Sequence, residues 1–353
     1  MKRKIRKAAE RATVKFTRLA VAAVVFLLLY FVARWQYEAS LPDITAGPAH
    51  TAGSAAVQAA VADGGLSVHF IDVGQGDAAL IVAPDSTAML VDAGPNSAED
   101  RLGAYLDALG ITEFAYVVFT HPHEDHIGGG DMIMREYEVE CVIMPAAVST
   151  TATFERLLDA IEASGAEVIC ADDVLGETFA LGGGKSGADA SGAGAGSGVG
   201  GAGGADSDDG GASQSEAGAV FTVLGPCKTG YSELNNASVL LRLEYGGAAY
   251  LFTGDAEAEA ERDLLERFGQ SALRCDVLKV GHHGSVTSTT DEFLSAAAPQ
   301  IAVISCAKIN DYGHPHRETL EKLARAGAKI YTTADLGTIV IRTDGKSIEA
   351  VTK

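Results

Sequence analysis

The apolar run AYVVFT (115–120) stops abruptly at HPHEDH, which packs His121, His123, Asp125 and His126 into six residues. A strand-length run ending in imidazoles and carboxylates delivers them together at the strand's carboxyl end. In open α/β sheets that is the edge where sites form. The pattern recurs along the chain. AMLV ends at Asp92, AYLFT at Gly254-Asp255, DVLKV at Gly281-His282-His283, and AVISC leads into KINDYGHPH with His314 and His316. Five strand ends thus carry His or Asp, and these segments hold seven of the chain's nine histidines.

This collection has the chemistry of a metal centre. Two histidines two residues apart bend onto one ion, and the Asp125-His126 pair that follows reaches a second ion beside it. Asp255 has two oxygens with which to bridge the ions, and a histidine of the GHH element completes the second one. His and carboxylate donors suit zinc, manganese or iron, and soft cysteine ligation is absent. Paired ions about 3.5–4 Å apart can share a hydroxide and clamp both oxygens of a displacement. Asp92 reads as an outer partner that orients a ligand histidine, or as a turn cap in DAGPN. Asp77 in DVGQGD reads equally as part of a glycine turn or as a residue lining the site. Asn235 and Asn236 carry a weak signal, since Asn pairs are ordinary turn residues.

Thirteen short apolar runs alternate with amphipathic helices at 98–109, 153–163, 257–268 and 317–326, each followed by a glycine suited to a left-handed cap. A further helix near 291–298 has Thr289 and Glu292 at capping-box spacing. Early hairpins followed by strand–helix alternation imply an α/β or layered αββα domain over residues 66–353. Residues 182–218 are nearly all Gly, Ala, Ser and Asp, a disordered insertion by composition.

The amino terminus reads as a membrane anchor. Residues 1–18 hold eight bases and one acid, and Leu19–Ala33 is an uncharged apolar run of 15. Trp35 and Tyr37 follow as interfacial aromatics would, so residues 19–37 are expected to span the membrane once and to tether it through a flexible linker at 38–65. The bases stay on the cytoplasmic side, which places the rest outside; a cleaved signal peptide and secreted form is the alternative. The remainder of the chain carries 19 bases against 46 acids, which argues against strong electrostatic nucleic-acid binding. Five cysteines without a CxxC pair argue against a disulfide scaffold.

VHFIDVGQGDAALI, LVDAG, THPHEDHIGG, NNASVLLRL, FTGDAE, DVLKVGHHGS and NDYGHPH, in this order, resemble the metallo-β-lactamase superfamily and, within it, the hydrolase domain of the ComEC family of competence proteins. The resemblance covers nearly all of residues 66–350 outside the insertion and implies a four-layer αββα sandwich. It implies two divalent ions, zinc or manganese, with His121 and His123 on the first, Asp125 and His126 on the second, Asp255 bridging, and one of His282 and His283 as the last ligand. Many members supply another histidine to the first metal from the middle of the chain. Here that region is NNAS, so either Asn235 or Asn236 faces the site or the first metal keeps an open position. One apolar run is too few for a DNA channel.

The expected activity is a metal-dependent hydrolase that cleaves a phosphodiester, in nucleic acid or an envelope polymer, by a metal-bound hydroxide. Asp125 and His314 are the candidates for the chemistry, with Ser285 and Tyr312 as further donors to the phosphate. Hydrolysis of a β-lactam or lactone, and a metal-binding accessory protein without turnover, are the alternatives.

Overall fold

Runs apolar at every position suit strands buried on both faces. The computed structural model, which describes residues 64–183 and 218–352, forms them as such. The segment expected to span the membrane, the interior of the insertion and most of the linker lie outside the described residues. Among the described residues no helix is long and apolar enough to cross a membrane.

The described chain begins with β1 (Leu66–Phe70), β2 (Ala79–Val82), β3 (Ala88–Val91), α1 (Glu99–Leu109), β4 (Glu113–Val118) and the short α2 (Glu124–Ile127). It continues with α3 (Gly130–Glu136), β5 (Glu138–Met144), α4 (Ala152–Ser164), β6 (Glu167–Cys170) and β7 (Thr178–Leu181). Past the insertion come β8 (Ala219–Gly225), β9 (Leu240–Tyr245), β10 (Ala248–Phe252), α5 (Ala258–Phe268), β11 (Val277–Lys279) and α6 (Asp291–Ala297). The rest is β12 (Ile301–Ile304), α7 (Arg317–Arg325), β13 (Lys329–Thr332), α8 (Thr333–Leu336), β14 (Ile339–Thr343) and β15 (Ile348–Thr352).

Two mixed sheets result, an eight-stranded one in the order β15-β14-β1-β2-β3-β4-β5-β6 and a seven-stranded one in the order β13-β12-β11-β10-β9-β8-β7. Each is antiparallel where hairpins join its strands and parallel where helices cross over: β3 to β6 in the first, β10 to β13 in the second. The last two strands return to the first sheet, β14 pairing with β1.

Period-two alternation divides the apolar side chains between two cores. From β2, Ala79 and Ile81 enter the core between the sheets, while Leu80 and Val82 face α1, α3 and α4 on the outer side. The inter-sheet core joins Phe70 and Val68 to Phe252, Tyr250 and Leu241, and Phe70 stacks on Phe252 with ring centroids 6.0 Å apart. Each fully buried Leu, Ile or Phe contributes about 1.5–3 kcal/mol. The strands that carry the site are therefore held from both sides.

α1 and α4 end at Gly110 and Gly165 in left-handed conformation, as their composition predicts. α6 differs from its expected cap. Thr290, not Thr289, is the N-cap, and its hydroxyl accepts from Phe293 N–H. Glu261 of α5 instead accepts the N–H groups of Thr289 and Thr290, a tertiary contact that no local spacing encodes. The helices α2 and α3 and the strand β15 are not expected from periodicity: α2 and α3 are short, and β15 is a partly exposed edge strand paired only through β14. All five cysteines are free.

Candidate metal centre

Every strand end singled out in the sequence belongs to the parallel half of a sheet. β3 leads to Asp92, its neighbour β4 to HPHEDH, and β10, β11 and β12 to Asp255, GHHG and NDYGHPH. Parallel neighbours finish at the same edge, and face-to-face packing brings the two edges together.

The side chains converge in two groups. Asp125, His126, Asp255 and His283 each offer a donor atom, all within 4.8 Å of one another. His126 Nε2 lies 3.3 Å from Asp255 Oδ1, and His283 Nε2 lies 3.3 Å from Asp125 Oδ2 and 3.5 Å from Asp255 Oδ2. In the other group His121 Nε2 is 3.0 Å from His123 Nδ1 and 4.0 Å from Asp255 Oδ2. Asp255 thus faces both groups, with Oδ1 toward His126 and Oδ2 between His283 and His121. Donors about 2.1 Å from a tetrahedral ion are about 3.4 Å apart, so these spacings fit first-row divalent cations. His126 Nε2, His283 Nε2 and Asp255 Oδ1 are buried without a hydrogen-bond partner, which is unusual and marks atoms built for a bound group.

Outer partners occupy the other ring nitrogens. Asp92 Oδ2 lies 2.8 Å from His126 Nδ1, and Ser305 carbonyl 2.9 Å from His283 Nδ1. His121 Nδ1 sits 3.1 Å from the Thr120 hydroxyl and 3.4 Å from that of Ser238. A proton held on Nδ1 leaves Nε2 with its lone pair toward the site. Gly76 has φ 146°, and a Cβ there would fall 2.3 Å from the Asp125 carbonyl oxygen. DVGQGD is therefore more than a turn. It backs the HPHEDH loop, with Asp77 N–H donating to Asp125 carbonyl at 3.1 Å.

The electrostatics favour cations. Asp77, Asp92 and Asp255 are buried and Asp125 is partly exposed, against a single buried lysine among the described residues, Lys279, whose Nζ is 2.6 Å from Asp77 Oδ2. Burial alone would strip charge from His126 and His283, but the surrounding carboxylates, Asp255 foremost, hold both well above the usual histidine range. Burial works against the charge of Asp255 too, yet the two imidazoliums keep it well below the usual carboxylate range. Asp125 is held at about 2 by His126 and His283, against the opposing effect of burial. His121, buried and beside His126, is pushed well below its ordinary value.

The remaining expected residues lie around this centre. Asn236 Oδ1 accepts from Glu257 N–H and Ala260 N–H at the start of α5, so it caps a helix. Asn235 Nδ2 donates to Glu257 Oε1 at 3.3 Å, and its own Oδ1 is buried without a partner. Ser285 Oγ is engaged with Thr287 Oγ1 at 2.9 Å. Tyr312, 65% exposed, stacks on His314 with centroids 5.5 Å apart. His314 lies 5.4 Å from the His282 ring, and its Nδ1 is buried and unpartnered. Burial, then the charges of His283, His282 and His316, hold His314 at about 4. At neutral pH it is a neutral imidazole, an N–H donor and not an imidazolium acid. No motif assigns a role to Lys279, Ser238 or Ser305, although each lies in a segment that leads to the centre: Lys279 in DVLKV, Ser238 in NNAS and Ser305 in AVISC.

The fold and the centre define the class. Residues 71–308 match the model of the metallo-beta-lactamase superfamily, and the chain belongs to it. Its curated relatives are ComEC-like. ComE operon protein 3 of Bacillus subtilis is 29% identical over 294 residues, covering 78% of this chain and 33% of that protein. Recombination protein 2 of Haemophilus influenzae is 26% identical over 77% of this chain and 28% of its own length. The chain thus spans about a third or less of the relatives it matches. Among solved structures it is similar to CmlA, a diiron beta-hydroxylase from Streptomyces venezuelae, at 13% identity and a TM-score of 0.46, covering 79% of this chain and 54% of that one.

Proposed function

We propose that this metallo-hydrolase is a binuclear phosphodiesterase, with a nucleic acid or an anionic envelope polymer as its substrate. The observation that carries the proposal is the position of Asp255 against two donor groups, with buried, unpartnered atoms of His126, His283 and Asp255 itself in one of them. His121 and His123 would hold one ion, Asp125, His126 and His283 the other, and Asp255 both; zinc and manganese suit these donors. When bound, such a pair lowers the pKa of a coordinated water and offsets charge on a phosphoryl group.

The chain's own residues account for the rest. Asp92 and Ser305 fix the ligand rings. His314, neutral and beside the centre, has a nitrogen free to donate to a phosphate or leaving-group oxygen, and Tyr312 backs its ring. None of the five cysteines takes part: Cys306, beside the centre, has its thiol pushed up to about 11, chiefly by burial. Direct attack by water is the simpler route. The basic cluster before a single apolar run supports a location outside the cytoplasmic membrane.

The test is turnover by the full-length protein of bis-p-nitrophenyl phosphate against nitrocefin and a lactone, with Mn²⁺ or Zn²⁺ added. His123→Ala and Asp125→Asn should abolish phosphodiester cleavage, and His314→Ala should slow it about 10²-fold. Cleavage of nitrocefin or the lactone with phosphodiesters untouched overturns the reaction class.

A further inference from the structure

We propose that His282 and His283 divide between the two cation sites. His283 belongs with Asp125 and His126, His282 completes the group of His121 and His123, and Glu257 positions His282. The proposal rests on the binuclear reading above.

The backbone is the first reason. His282 and His283 are consecutive residues in the left-handed region, with φ 48° and 53°. In an extended segment neighbouring side chains point to opposite faces, and only one of the two would reach the site. The left-handed turn brings both rings to one side, their centroids 6.1 Å apart. Adjacent non-glycine residues in this region are unfavourable at each position, and such outliers persist where the surroundings over-determine them. Here the surroundings do. His282 N–H donates to Gly254 carbonyl at 3.1 Å, and at Gly284 a Cβ would meet Pro315 at 2.7 Å.

The second reason is how each ring is held. His283 has Nδ1 on the Ser305 carbonyl and Nε2 toward Asp125. His282 has Nδ1 3.1 Å from Glu257 Oε1 and 3.1 Å from Thr287 Oγ1. Its Nε2 lies 3.7 Å from Asp255 Oδ2, the oxygen shared by His283 Nε2 at 3.5 Å and His121 Nε2 at 4.0 Å, and His282 stands outside the close cluster of Asp125, His126, Asp255 and His283. Glu257 is itself fixed, accepting from the Thr287 hydroxyl at 3.0 Å and from the Asn235 amide at 3.3 Å. Glu257–His282 therefore repeats Asp92–His126, with a carboxylate on Nδ1 and Nε2 left to the site. The segment Leu234–Ala237, which has no histidine, contributes Asn235 to the support of Glu257.

The experiment is calorimetric titration of EDTA-treated full-length protein with Mn²⁺, with electron paramagnetic resonance to distinguish paired from single ions. Wild type should bind two ions with a spin-coupled spectrum. His282→Ala should lose at least about 100-fold at one site only, leaving a single uncoupled ion, and His283→Ala should lose the other. Glu257→Gln should weaken the same site as His282→Ala by about 10–100-fold. If wild type binds two ions and both His282→Ala and Glu257→Gln keep both affinities, His282 is no ligand, while the binuclear reading stands. If wild type binds fewer than two, both fall. Should His282→Ala fail to fold, by the melt of the metal-free protein, Glu257→Gln decides alone: one site weakened supports the proposal, neither weakened overturns it.

Discussion

Replacing Asp92 with asparagine tests whether a carboxylate outside the metal site sets its affinity. Asp92 Oδ1 accepts from the Thr120 N–H at 2.8 Å, while Oδ2 accepts from the Thr120 hydroxyl at 2.7 Å and from His126 Nδ1 at 2.8 Å. An asparagine must keep its carbonyl on the Thr120 N–H, because the opposite orientation sets two donors against each other in a buried place, costing about 1–3 kcal/mol. The amide nitrogen then faces His126 Nδ1 and donates to it. The imidazole proton is driven to Nε2, the nitrogen 3.3 Å from Asp255 Oδ1, where it blocks the lone pair a cation needs. Loss of such an outer partner weakens metal binding by about 10–100-fold, or about 1.4–2.7 kcal/mol. Calorimetric titration of the EDTA-treated full-length protein with Mn²⁺ or Zn²⁺ reads this directly, and a thermal melt without metal checks the fold. Wild-type affinity for both ions in Asp92→Asn, with an unchanged melt, would refute the tautomer argument.

Three further outcomes are expected. His69 sits between Tyr105 Oη and Ser67 Oγ, each at 2.9 Å, and burial, then Arg342, hold it at about 3. The unfolded chain, with a pKa near 6.5, therefore takes up the proton first. The stability this adds is present above about pH 6.5 and is lost as pH falls, about 2 kcal/mol of it by pH 5. Unfolding free energies of wild type and His69→Gln should converge by that amount between pH 7 and 5 in metal-free buffer, and parallel curves rule the linkage out. Leu181 pairs with Ala219 across antiparallel β7 and β8, so the insertion joins two strands that already meet. Replacing residues 184–217 with a four-residue Gly/Ser link should leave turnover intact and raise stability by at most about 2 kcal/mol; a large fall in melting temperature would assign the segment a structural part. Finally, an alkaline phosphatase fused after residue 64 should be active in cells, and a cytoplasm-dependent fluorophore at that point dark. The reverse pattern would invert the topology.

Much of the centre is legible in the order of residues. HPHEDH, Gly254-Asp255 and GHHG each follow an apolar run, and a strand that stops at a charged or imidazole side chain can only present it at its end. Two local glycine-ended helices, α1 and α4, are equally legible, because a left-handed cap needs nothing beyond the next residue. Other features depend on partners far along the chain. The fixing of Thr289 and Thr290 by Glu261, the Lys279 contact to Asp77, and the ring partners Ser305, Glu257 and Ser238 join residues that no periodicity relates. The placement of His282 and His283 is of this kind too. Sequence presents two adjacent histidines, whereas their directions follow from a left-handed turn held between Gly254 and Pro315. The sequence by itself determined which donors exist and that they stand at strand ends, because side-chain chemistry and strand periodicity are local. Only tertiary packing decided which oxygen of Asp255 meets which ring, because a separation of 3–4 Å between different sheets is set by how the two sheets close on their common core.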